Sequence, residues 1–434
     1  MAKIGIVLLL LPVVSAVDFD TCLTDVRQGM WGTIGGTDNR GHPVSNIANA
    51  TAITYDLCIR ACGATSEPFV WSEFSQQFSS WLLPWLALVS QLPFGANDKL
   101  DNLVSVLLTV GSPTLAAYSL ALTVLNGRWI ARHFAAYNYP NIRQAVQILI
   151  SLQQSPLRVT TSGSLLSSLV VLHENDEWWN ELAVWLDYNH TWSVAAVTSI
   201  AWVITAYLFT LIDSLTSDPT ASIQSNGQGV GSMWLWLLPI VIGWLQISPK
   251  CDSTRLRKAI ERANKIAYIA TPSGKPVLAS SVSMQRAISL TPATDDILRC
   301  DEQCTAPIYN YSRFLPWAKA VEDVCDAFHA ASDHAYGHLS VDPQVGWEAT
   351  EKYPGPTATN RAGTLDQVDA YCLPIGEPAV TQGIRWTPGF WSRFIVASAL
   401  ALSLQWGTAN AAVVVSWFTP TIGKEPQIGL NISI

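Results

Sequence analysis

The chain has 434 residues, of which 13% are charged and 49% hydrophobic, with a formal net charge of −8 and a mean hydropathy of +0.23. So apolar a composition sets aside an ordinary soluble globule of this length. The acidic balance argues against a nucleic-acid partner, whose phosphates demand an excess of Lys and Arg.

Met1–Ala16 carries one Lys, an apolar centre and small residues at Val14-Ser15-Ala16, the grammar of a signal peptide, with an uncleaved signal anchor as the alternative. Residues 17–77 then form a small exported region. It holds Cys22, Cys58 and Cys62 and the sequon Asn49-Ala50-Thr51. Three cysteines in an oxidising compartment predict one disulfide and one leftover thiol; Cys58 and Cys62 lie one helical turn apart and are possible but not obligatory partners.

Two apolar runs follow within residues 78–126. Phe78–Phe94 is short and contains Pro84 and Pro93, so it is expected to dip into the outer leaflet; a full crossing is the competing arrangement. Leu103–Leu125 is long enough to cross, with a kink expected at Gly111-Ser112-Pro113. Arg128, Arg132, Arg143 and Arg158 then mark residues 127–191 as a cytoplasmic segment lying at the interface. Within it, Ile142–Leu152 and Leu165–Leu172 read as helices on the membrane face. His173-Glu174-Asn175-Asp176-Glu177-Trp178-Trp179 is an acidic and aromatic cluster, either an interfacial face anchored by Trp178 and Trp179 or a His–carboxylate group suited to acid–base chemistry.

Residues 192–248 read as a transmembrane hairpin. Trp192–Ile212 and Gly231–Ser248 are uncharged and membrane-length, and the loop between them lacks Lys and Arg. The nineteen tryptophans include Trp81, Trp192, Trp234, Trp391 and Trp417 near the ends of apolar runs, where an indole suits the lipid–water boundary. Residues 249–390 form a cytoplasmic domain. It opens with a basic amphipathic helix over Arg255–Ile269, placing Arg255, Arg257, Lys258, Arg262 and Lys265 against anionic lipid and Leu256, Ile260, Ala263 and Ala267 on one stripe. A second helix is expected over Pro316–Ala335, with Val321, Val324, Cys325, Phe328 and Ala331 facing a core. Asp342–Pro378 reads as irregular. Cys300, Cys304, Cys325, His329, His334 and His338 are the candidate metal ligands, although their spacing matches no standard zinc module. Trp391–Phe418 is the last expected span, and residues 419–434 form a tail.

The segments WSEFSQQFSSWLLPWLALVSQLPFG, DNLVSVLLTVGSPTLAAYSLALTVLNGRW and ENDEWW resemble those of a family of multi-pass integral membrane proteins of filamentous fungi. The resemblance covers about Trp71 to Phe418. It implies a shared membrane fold and brings with it neither an assigned activity nor functional residues.

The expected architecture is therefore mainly α-helical and polytopic, with four to five membrane segments, in a secretory-pathway membrane and by expectation the plasma membrane. There is no Gly-x-Ser-x-Gly elbow, no phosphate loop ending in Lys-Ser/Thr and no His-Glu-x-x-His, and no cofactor is implied. Three functions stay open. A non-enzymatic scaffold or sensor leads; a passive channel for a neutral or lipid-like solute would need a water-accessible row of Ser112, Thr114, Ser119 and Thr123; a membrane enzyme would need the His173–Glu177 cluster. Sequons also occur at Asn189, Asn310 and Asn431.

Overall fold

A computed structural model describes residues 19–38, 41–63, 71–92, 99–188, 192–216, 234–290, 304–349, 355–374 and 389–418. The expected signal peptide, residues 217–230 of the expected hairpin loop, Cys300, Asn189, Asn431 and the tail lie outside these residues. In chain order the helices are α1 (Phe19–Arg27), α2 (Tyr55–Ala61), α3 (Trp71–Gln77), α4 (Leu83–Val89), α5 (Lys99–Gly111), α6 (Pro113–Phe134), α7 (Ile142–Ser151), α8 (Leu165–Val171), α9 (Asp176–Leu186) and α10 (Val194–Thr216). They continue as α11 (Leu237–Ile247), α12 (Ser253–Ala263), α13 (Ala279–Val282), α14 (Asn310–Tyr336), α15 (Leu365–Tyr371) and α16 (Phe390–Phe418). The strands are β1 (Gly36–Thr37), β2 (Ala52–Ile53), β3 (Arg158–Val159), β4 (Tyr268–Ile269), β5 (Val277–Leu278) and β6 (Ile288–Ser289), pairing antiparallel as β1–β2, β3–β6 and β4–β5. The fold is mainly helical.

The chain divides into two compact units, one within Met1–Leu86, Ala201–Trp234 and Thr408–Ile434, the other within Ala87–Ile200 and Leu235–Gly407. In the first, the N-terminal segment closes a small core of Leu23, Val26, Ile47, Ala50, Ile53 and Leu57. A disulfide joins Cys22 to Cys62, and Cys58 is the free thiol. So small a core needs such a staple. Asn49 is exposed on a short 3-10 turn.

The second unit holds the large core. Residues 127–186 and 256–371, expected as an interfacial segment and a separate domain, contribute to one hydrophobic cluster. Phe328 sits at its centre, with ring centroids 5.5 Å from Trp179, 6.1 Å from Phe134 and 6.3 Å from Tyr139. The expectation that Trp178 and Trp179 anchor an interface is corrected: both are fully buried. Each indole N–H finds an acceptor, Trp178 on Asn264 Oδ1 at 3.1 Å and Trp179 on the Leu169 carbonyl at 2.9 Å, which is what a buried indole requires. The α7 and α8 segments likewise turn their apolar sides into protein, not onto a membrane face.

The basic helix is also revised. Asp252 caps it by accepting from the Arg255 amide at 2.9 Å, and it ends at Ala263 instead of running to Ile269. Leu256, Ile260 and Ala263 are buried, as is Ala267 beyond its end. The apolar stripe is thus occupied by the core, while Arg255, Lys258, Arg262 and Lys265 remain on the exposed side. Arg255 and Arg262 stack on Tyr188 and Trp185, at 3.8 and 4.3 Å from the ring centroids. Helix α14 begins at Asn310, not Pro316, and carries Pro316 internally, while Val321, Val324, Cys325, Phe328 and Ala331 are all buried.

The expected spans fare unevenly. Among the described residues no single helix is long and apolar enough to cross a membrane. Leu103–Leu125 is not one kinked helix: α5 and α6 meet at 107° across Ser112. Pro113 at the first position of α6 explains the break, because its ring disfavours helical backbone at the preceding residue, and Ser112 sits at φ −137°, ψ 80°. Taken together the two helices have the length and apolar composition of a bent span. Phe78–Phe94 becomes a π-helical turn at Phe78–Leu82 followed by α4. The second hairpin arm is described only as the 11-residue α11, and Trp234 before it is buried, whereas Trp192 and Trp391 are exposed. Gly243 lets α11 approach α6 closely: a Cβ there would sit 2.6 Å from Leu120 Cδ2.

Candidate functional site

Three constellations are chemically informative, all in the second unit. The first is the acidic cluster. Leu172 leaves helical geometry after α8, and a 3-10 turn over His173–Asn175 delivers Asp176 to the start of α9. Asp176 receives Arg361 Nη1 on Oδ2 at 2.9 Å, Arg361 Nη2 on Oδ1 at 2.6 Å and Asn141 Nδ2 on Oδ1 at 2.5 Å, with His173 Nδ1 2.8 Å from Oδ2. Arg361 is 2% exposed and also donates to the carbonyls of Val171 and Leu172. Burial pushes the Asp176 carboxyl up, but the Arg361 guanidinium, Asn141 and His173 together hold it below its ordinary value. Neighbouring Asn175 is fully buried, bonded to Ser168 and to both backbone groups of Tyr268. The cluster is a knot tying α8, α9 and β4 to the 3-10 turn at Thr359–Arg361. A carboxylate with four donors around it has no lone pair to spare for substrate, so Asp176 is unsuited to act as a general base.

The second constellation is the candidate metal set, which the described residues do not gather. Cys304 lies 3.6 Å from Ser155 Oγ. Cys325 is in the core, where burial pushes its thiol up to about 12. His329 stacks on Tyr137 and faces Asp333 at 3.3 Å; His334 is hydrogen-bonded to the Ala330 carbonyl; His338 packs beside Trp347. No group of three or more metal-ligating side chains occurs among the described residues.

The row expected for a channel is broken as well. Ser119 is buried and donates to the Ile308 carbonyl at 2.7 Å, while Thr123, also buried, accepts from Asn310 Nδ2 at 2.7 Å. Asn310 is itself 3% exposed and donates to the Ser119 carbonyl, so its sequon is closed off by the fold.

The third constellation was not assembled by the sequence reading. The last turns of α6 place Arg128 and Arg132 four residues apart, and Trp129 and His133 likewise, giving two adjacent rows on one helical face. The first turn of α16 brings Arg393 to them. Its guanidinium lies 4.1 Å from the Trp129 centroid and 4.9 Å from that of Phe314, and Nη1 donates to Asn126 Oδ1 at 2.9 Å. Arg393 is 5% exposed. Trp129 in turn stacks on His133 with centroids 5.4 Å apart. Together Arg128, Arg132, His133 and Arg393, with Leu125, Ser392 and Val396, line an open cavity of about 410 Å³. Among the described residues its lining includes no carboxylate. Burial pushes His133 below its ordinary value against the pull of Asp326, leaving the imidazole neutral at pH 7. The sequence signal was the four-residue spacing of Arg128 and Arg132; the third arginine comes from 267 residues beyond Asn126. No protein-family model, curated protein or solved structure matches this chain.

Proposed function

We propose that this chain is an integral multi-pass membrane protein that acts as a non-enzymatic scaffold or sensor, in keeping with the fungal membrane family its segments resemble. One observation carries the reading: large apolar side chains face outward along whole helices. On α10, Val194 is 82% exposed, Trp202 65% and Phe209 66%; on α16, Ile395 is 60% exposed, Leu400 54% and Trp406 62%. Leu103, Val104 and Leu107 of α5 are exposed too. Apolar surface on this scale is left to be covered by lipid or by partner protein. At 23 and 29 residues α10 and α16 have the length to cross about 30 Å of hydrocarbon. The polar groups on α10 that lower its hydropathy are partly hidden, since Thr198 Oγ1 bonds back to the Val194 carbonyl at 2.9 Å. The bent α5–α6 pair supplies a broken or re-entrant element.

The scaffold reading is favoured over catalysis because the Asp176 carboxylate of the His173–Glu177 cluster is consumed by Arg361 and Asn141. The orientation that fits the charge distribution puts Asn49 and the Cys22–Cys62 disulfide outside and the Arg/Lys-bearing body in the cytoplasm. Alkaline carbonate extraction of cells producing the full chain tests the proposal. Retention in the membrane pellet is expected; release into the supernatant would overturn it.

A further inference from the structure

From the basic cavity at the root of α16, we infer that this protein binds a phosphate monoester dianion, with an anionic phospholipid headgroup as the favoured source. The lipid source rests on the membrane reading above; the anion chemistry does not. Three guanidinium groups and one imidazole converge on one cavity in a chain whose net charge is −8. Guanidinium forks match phosphate oxygens bidentately and keep their charge at any physiological pH. Arg128 and Arg132 are exposed and form no ion pair among the described residues. Arg393 is positioned differently: Trp129, Phe314 and Asn126 hold it, giving the cavity one buried, fixed cation beside two exposed ones.

The carboxylates nearest this group, Glu322 and Asp326, interact with Arg393 and His133 but do not line the cavity. The neutral imidazole of His133 still offers a donor to a phosphate oxygen. A phosphate monoester carries close to two negative charges at pH 7, matching three cations better than a phosphodiester does. The lining also has an apolar side, Leu125 and Val396. A phosphate seated among the arginines would leave an attached acyl chain beside that apolar surface, which free phosphate has no use for.

The test uses the full chain purified in detergent, titrated with dihexanoyl phosphatidic acid, dihexanoyl phosphatidylcholine and inorganic phosphate. Saturable binding of the phosphatidic acid is expected, and the double variant Arg128→Gln/Arg132→Gln should weaken it about tenfold or more while leaving the thermal midpoint unchanged, as both side chains are exposed. Competition by inorganic phosphate at equal affinity would support the anion site and identify free phosphate as its source; failure to compete supports the lipid. Equal binding of phosphatidic acid and phosphatidylcholine, or full affinity in the double variant, would overturn the inference. Carbonate extraction run alongside separates the two claims: failed binding with the chain still in the pellet sinks the cavity alone, and release from the pellet sinks the membrane reading alone.

Discussion

Arg361 and Asp176, 185 residues apart in the chain, meet as a two-pronged ion pair at 2.9 and 2.6 Å inside the body of the protein. Breaking a buried pair typically costs about 3–5 kcal/mol; removing Arg361 leaves the half-buried Asp176 with Asn141 and His173 alone, which sets the cost toward the lower end. Arg361→Met is therefore expected to lower the unfolding midpoint steeply, and Arg361→Lys to rescue little, because one ammonium cannot replace donors to Val171, Leu172 and Asp176 together. The same pair sets an acid limit. The folded-state value of Asp176 is depressed, so its contribution is present above about pH 4 and lost as pH falls through the lower folded value. Denaturation curves between pH 2 and 7 should show an acid limb that Asp176→Asn abolishes.

Glu322 carries the opposite sign. Burial and the neighbouring Asp326 push its carboxyl up, and Oε1 is buried without a hydrogen-bond partner among the described residues. Its protonated form favours the fold, a contribution fully present below about pH 4.3 and lost as pH rises through the raised folded value. Glu322→Gln mimics that form. It should raise the midpoint at pH 8 and leave it unchanged near pH 4; no gain at pH 8 would count against this assignment.

Trp178 distinguishes a core tryptophan from a membrane-surface one. Trp178→Phe strands the Asn264 carbonyl oxygen in a buried site, at about 1–3 kcal/mol, and Trp179→Ala empties the contact with Phe328, at about 3–5 kcal/mol. Chemical denaturation in detergent measures both. Losses below about 0.5 kcal/mol, the size expected of surface changes, would return these indoles to an interface.

The N-terminal cysteine-bearing segment makes a paired prediction. The Cys22–Cys62 bond closes a 40-residue separation, worth about 4 kcal/mol by chain entropy. Non-reducing peptide mapping should find that linkage with Cys58 alkylatable, and Cys22→Ala should destabilise the segment while Cys58→Ala leaves it intact. Glycan is expected at exposed Asn49. Asn310 should stay bare whichever side it faces, because its side chain is buried against Ser119 and Thr123, so its silence carries no information about topology.

Local periodicity was the legible part of this fold. The stripe Val321, Val324, Cys325, Phe328, Ala331 is core-facing because a 3.6-residue repeat states which side is apolar. The repeat does not state what covers that side: the stripe of α12 looked ready for lipid and is packed into protein instead. The HENDEWW cluster was visible as chemistry, but its meaning depended on Arg361, which lies in a stretch that reads as irregular. One local signal there was overlooked. Thr364 and Gln367 form a reciprocal capping box opening α15, the Thr-x-x-Gln pattern of a helix start. Arg128 and Arg132 registered only as markers of membrane sidedness, since nothing in a one-dimensional pattern brings α6 and Arg393 of α16 together.

The central claim is that lipid covers the outward apolar faces of α10 and α16. It is tested most directly by a photo-crosslinking amino acid in place of Trp202 or Trp406, both more than 60% exposed, in the full chain produced in cells with radiolabelled phospholipid. Label should transfer to the protein from both positions and not from position 31, where Trp31 is exposed in the N-terminal cysteine-bearing segment. Crosslinking at 202 and 406 to a partner protein or to a second copy, with no lipid label, would contradict the account.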